Sequence, residues 1–238
     1  MKSINLILVT VFLFTLNCKA QESPYNNDDF SISSAEVTHN SDLGLTIWEI
    51  NVKGTAGKTT PTKAGQLDGA PVLGYVFPTS LKPTDVGFNQ TEGIVALALT
   101  SHPDFDDTPL WDENSDSKYD NDGVIWHPHW VVLVEDKRVK GGLSVKQFKK
   151  DDKSVVLPPT NPGMPMYMDS PGYPVITKAN TIKVIIPDYR INNKTDFAYD
   201  GVTAFMKVNT SIENTPMLGV YEVFSVASGD LSLPYKVK

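Results

Sequence analysis

The chain has 238 residues, of which 40% are hydrophobic, 21% charged and 10% aromatic, a composition that excludes a disordered or fibrous polymer and suits one globular domain of about 200 residues or two small ones. Twenty-eight acidic against 21 basic residues give a formal net charge of −7, and no nucleic-acid partner is expected, because phosphate backbones are held by clustered Lys and Arg.

Residues 1–20 begin with Lys2, continue through the apolar run 4–16 and end in Cys18-Lys19-Ala20. These are the charged, apolar and small-residue zones of a secretory signal peptide, so export to the periplasm or the extracellular space is expected. Cleavage after Ala20 removes the sole cysteine; stability then rests on a core rather than on disulfides. Lipidation at Cys18 is the rival reading, and Thr15-Leu16-Asn17 suits its small-residue requirement poorly. The apolar run is shorter than the roughly 20 residues of a membrane span, so no transmembrane segment is expected.

Seventeen prolines and 16 glycines punctuate short runs rich in Val, Ile, Leu, Thr and aromatics, a pattern that favours strands over helices. Strands are predicted over 35–39, 45–52, 72–77, 94–102, 124–135, 154–157, 173–177, 182–186, 202–208 and 218–226. About ten strands make a single all-β, β-sandwich-like domain over 30–238 with at most one or two short helices. Over 45–52, Thr46, Trp48, Ile50 and Val52 share one face, with Glu49 and Asn51 on the other, which marks a half-buried strand. The stretch 142–150 is the candidate helix, 21–29 a polar, mobile leader, and 53–69 a loop rich in Thr, Gly and Lys.

The most charged segment lies between Asp104 and Asp122, with eight carboxylates and one base, Lys118. Self-repulsion in so short a stretch favours a bound cation. Asp112, Asn114, Asp116, Asp120 and Asp122 recur at short even spacing, which lets their oxygens converge on one hard ion such as calcium, and Asp104 and Asp106 stand at the start of the same loop. The pattern resembles aspartate-rich calcium loops in general. It departs from an EF-hand loop in having Ser117 at the glycine position and Gly123 at the bidentate glutamate. The alternative is a solvated acidic loop.

His127-Pro128-His129 sits in an apolar run of strand character, where side chains two apart share a face. If 94–102 pairs antiparallel with 124–135, His102 arrives beside His127, so three of the four histidines meet at one corner with the acidic loop projecting from it. Neutral imidazoles suit zinc, copper or iron, so a histidine site and a carboxylate site are chemically distinct, and affinity at the histidines is expected to fall below about pH 6. A histidine pair on one strand with a third on its neighbour resembles the metal layout of carbonic anhydrases and cupins in geometry. The competing reading makes His127 and His129 packing residues between Trp126 and Trp130, which fall on the opposite face and belong to the core. Pro128 places this part of the strand at an edge or a bulge. His39 is expected at the surface.

Met164, Met166 and Met168 would share one side of an extended backbone, as a copper(I) site or as filler beneath a proline-rich flap. No thiol nucleophile survives signal cleavage, and neither a Gly-x-Ser-x-Gly elbow nor a phosphate-binding glycine loop is present. The leading expectation is an exported metal-binding protein, with a transition metal on His102, His127 and His129 and calcium on the acidic loop. The alternatives are a hydrolase or lyase using a three-histidine metal, with Asp104 or Asp106 as general base, and a non-catalytic binding or adhesion module stiffened by calcium. No sequence feature identifies a protein or glycan partner.

Overall fold

Along the runs 71–78, 94–101 and 127–135 both faces are buried and mostly apolar, so these strands need a core on either side. The computed structural model, which describes residues 23–62, 66–102 and 125–238, supplies both. Its thirteen strands are β1 (Ile32–Asn40), β2 (Leu45–Val52), β3 (Pro71–Pro78), β4 (Ile94–Ser101), β5 (His127–Glu135), β6 (Leu143–Val145), β7 (Met168–Asp169), β8 (Val175–Lys178), β9 (Thr181–Pro187), β10 (Ala198–Tyr199), β11 (Val202–Val208), β12 (Leu218–Val226) and β13 (Tyr235–Lys236). Helical structure among the described residues is confined to three short 3₁₀ segments, Asp28–Phe30, Pro83–Val86 and Asp188–Ile191. No helix there is long and apolar enough to cross a membrane.

The all-β, layered architecture agrees with the sequence, and one layer goes further by curling on itself. Strands β4, β3, β11, β12, β6 and β5 follow one another in hydrogen-bonded order, and β5 pairs back onto β4, so the six close a barrel, with β7 added beside β5. Closure removes the exposed edges that an open sheet would present. A second sheet, in the order β1, β2, β9, β8, forms the other layer, and β10 pairs with β13.

Two cores result. Leu73, Tyr75 and Phe77 of β3, Leu97 and Leu99 of β4, and Trp130 and Val132 of β5 pack outward against Trp48, Ile50, Ile182 and Val184 of the second sheet. The Trp48 ring meets Phe77 and Trp130 edge-on, at centroid distances of 5.4 and 5.8 Å, and stacks on Phe197 at 5.1 Å. The intervening residues of the same strands, including Val72, Val76, Ala96, Ala98, Val131 and Leu133, turn inward to the barrel lumen. Large aromatic side chains therefore fill the space between layers, and small or aliphatic ones line the barrel.

Two expected elements are absent from the fold. The helix proposed for 142–150 is instead strand β6, followed by a bridge between Gln147 and Met166. Leu143 and Val145, two apart, both face the lumen, while Ser144 between them donates to the Asp136 carboxylate at 2.8 Å; period two defeats period 3.6. Arg138 holds that carboxyl well below the ordinary carboxylate range and fixes the turn that folds β6 back on β5. The strand proposed for 154–157 is irregular: Ser154 donates both its N–H and its hydroxyl to Asp152 Oδ1, the segment bonds Asn89, and Pro158-Pro159 follows. The described part of the leader is anchored rather than loose. Asp29 accepts from the Thr55 N–H at 2.7 Å and the Thr59 hydroxyl at 2.6 Å, and Phe30 is fully buried.

Trp48 joins the layers, and its replacement by Ala leaves a cavity beneath Phe77, Trp130 and Phe197. Trp48→Ala is expected to lower unfolding free energy by about 3–5 kcal/mol, measured by urea denaturation followed by circular dichroism.

Candidate metal centre

The register of β4 on β5 builds the site. Thr100 lies opposite His127 and Ala98 opposite His129. Since Ala98, Thr100 and His102 are spaced by two, they share the lumenal face with His127 and His129. His102 follows the last residue of β4 and His127 opens β5, so the three imidazoles gather at one mouth of the barrel. All three are buried. The ring centroids of His102 and His127 are 4.5 Å apart, those of His127 and His129 4.8 Å and those of His102 and His129 5.8 Å.

One ring nitrogen from each histidine lies within 4.8 Å of the others, and among the described residues this is the one cluster of His, Cys, Asp or Glu with that property. A tetrahedral ion with metal–nitrogen bonds of about 2.0–2.1 Å sets its ligands about 3.3 Å apart. Loading the site therefore spreads the closest pair, His102 Nε2 and His127 Nε2 at 2.8 Å, and draws in the third ring.

The far sides of two rings are already anchored. His127 Nδ1 lies 2.9 Å from the Ile125 carbonyl oxygen; that oxygen only accepts, so Nδ1 carries the proton and the Nε2 lone pair faces His102. His129 Nδ1 lies 3.0 Å from Ser170 Oγ. Such hydrogen bonds on the distal nitrogen orient metal-ligating histidines and select their tautomer. Ser170 is placed by its neighbours: Asp169 pairs opposite Trp130, the Ser170 N–H donates to the Thr160 carbonyl at 3.0 Å, and the Thr160 hydroxyl donates to Asp169 at 2.6 Å. Burial pushes the Asp169 carboxyl upward from its ordinary pKa.

Trp126 and Trp130 lie on the opposite face, as the alternation requires. Trp130 is fully buried between the layers, and Trp126 Nε1 donates to the Gly57 carbonyl at 2.9 Å while its ring packs on Tyr75. Pro128 lies opposite Leu99, and among the described residues the other flank of β5 finds a strand only from Trp130 onward. The missing N–H thus falls on a locally unpaired edge. His39 stands apart, on β1 of the second sheet, with its Nε2 2.8 Å from Asp188 Oδ2. Asp104, Asp106, Asp112, Asn114, Asp116, Asp120 and Asp122 lie outside the described residues, as does the segment 1–20 expected to be a signal peptide, with Cys18. Met164, Met166 and Met168 do share a side: all three line the lumen.

Sequence reasoning missed two contributors. Thr100 was legible, being two residues from His102 on a strand; Ser170 was not, because it reaches His129 from the far side of a proline-rich segment. The Thr100 hydroxyl is buried and has no hydrogen-bond partner among the described residues, although it lines the lumen beside the triad. A buried hydroxyl without a partner costs about 1–3 kcal/mol. In metal-free protein Thr100→Val, nearly the same shape, is therefore expected to raise stability by about 1 kcal/mol or more, read from the urea midpoint at constant m.

No protein-family model matches the chain, and no curated protein or solved structure shows significant similarity to it, so the chemistry of the buried triad is what speaks for the function.

Proposed function

We propose that this is an exported metal-binding protein whose transition-metal centre is formed by His102, His127 and His129. The convergence of three buried imidazoles within 4.8 Å at the barrel mouth is the observation that carries it. Neutral nitrogen donors suit zinc, copper or iron over calcium. The anchored Nδ1 of His127 supports it further, since its proton is committed to a carbonyl and Nε2 is left as the donor atom, and the Ser170 contact orients the His129 ring. Three protein ligands leave at least one coordination position for an exogenous group, the arrangement of a site that binds or turns over a small molecule. In the same reading the carboxylates between Asp104 and Asp122 form a separate site for calcium, and the leader directs the chain out of the cytoplasm.

Metal content of the purified, chelator-stripped and zinc-reloaded protein tests this directly. One equivalent is expected for the intact chain and for His39→Ala, and none above background for His127→Ala. Retention of one equivalent by His127→Ala would place the metal elsewhere. Ser170→Ala is expected to weaken zinc about tenfold, because it frees the His129 ring without removing a ligand; competition with a chromogenic chelator measures that change.

A further inference from the structure

The barrel lumen behind the triad holds a cavity of about 70 Å³. Its walls are apolar except at the end that carries Thr100, His102 and His129. Small residues keep it open: Gly74 pairs opposite Thr100, Ala204 opposite Gly74, and Ala98 opposite His129. A Cβ on Gly74 would come within 2.7 Å of the Met206 terminal methyl on the adjoining strand β11, so even a single added carbon there crowds the lumen's lining. An apolar chamber with polar groups at one end takes a ligand with a polar head and a hydrocarbon tail.

Two features specify the head. Three neutral imidazoles leave both charges of a divalent ion uncompensated by the triad, and net charge facing an apolar chamber is costly, so an anionic ligand is favoured. The Thr100 hydroxyl, buried and without a partner among the described residues, supplies a donor on the lumenal face, opposite His127 in register. A carboxylate satisfies both, with one oxygen on the ion and the other accepting from Thr100. The tail follows from the volume: at about 10–15 Å³ per water-sized group, the lumen takes a chain of about five to seven carbons.

Resting on the metal-centre reading, we propose that the triad's ion binds the carboxylate of a short, unbranched aliphatic acid, with the Thr100 hydroxyl donating to that carboxylate and the alkyl chain lying in the barrel lumen.

The test uses the full chain loaded with cobalt(II), whose visible absorption reports the exogenous ligand, titrated with acetate, butyrate, hexanoate and decanoate. Affinity is expected to rise about fourfold per added CH₂ up to about six carbons and to gain nothing beyond. Thr100→Val should keep its cobalt and lose about tenfold or more in butyrate affinity. Ala204→Val should move the optimum to a shorter chain. A spectrum unmoved by any of the acids, equal affinity for all four, or a Thr100→Val protein that binds butyrate as tightly as the parent each overturns this proposal while leaving the metal centre standing. Failure of the parent to take up cobalt or zinc overturns the metal centre and this proposal with it.

Discussion

The ladder between β4 and β5 does two things at once: it closes the barrel, and it fixes which side chains meet at the barrel mouth. With Thr100 opposite His127 and Ala98 opposite His129, His102 arrives one step beyond Thr100 and on the same face. Slippage by one residue would turn every side chain of β5 to the other face. The histidines would then enter the aromatic layer around Trp48, and Trp130 would be driven into a lumen lined by Val, Ala and Met. Both outcomes are strongly disfavoured, the first because polar rings would lose their partners and the second because the lumen has no room for an indole. Packing on the two faces of one strand therefore specifies the geometry of the site.

The two cores are built differently for a physical reason. Between the layers, Phe30, Tyr75, Phe77, Trp48, Trp130 and Phe197 are buried to 3% exposure or less and contact one another ring on ring, which makes a dense, shape-specific interface. Among the described residues the lumen lining has no Phe, Tyr or Trp, and three of its residues are the flexible thioethers Met164, Met166 and Met168. Thioether chains adapt to a guest at little cost. Rigidity is concentrated in the wall that aims the histidines, and adaptability in the chamber behind them.

Much of this was legible in the sequence, because it rests on period two. The ends of 45–52, 202–208 and 218–226 coincide with β2, β11 and β12, and the pairing that brings His102 to His127 followed from two strands joined by one connection. What escaped notice has the opposite character. Closure of the barrel depends on β12 pairing with β6, Gly219 opposite Ser144, a relation between segments distant in sequence. The segment 142–150 looked helical because Leu143, Val145 and Phe148 mix two periods; in the fold Leu143 and Val145 serve the lumen and Phe148 packs on the outer core. Ser170 reaches His129 across 41 positions of sequence, and no local pattern announces such a contact.

The hydrogen bonds around His127 also determine what an ion must displace. Its Nδ1 proton is committed to the Ile125 carbonyl, so with both rings neutral the proton between the two Nε2 atoms, 2.8 Å apart, belongs to His102. An ion entering the triad takes the place of that proton, and His102 carries its hydrogen on Nδ1 instead, so that the ring stays neutral. The metal-free pair is thus already arranged around a small positive centre, with His127 presenting a lone pair to it. Exchange of a proton for a metal ion then requires only an adjustment of side chains, because β4 and β5, locked by the lumenal core on one face and the aromatic layer on the other, hold the backbone on which the rings are mounted.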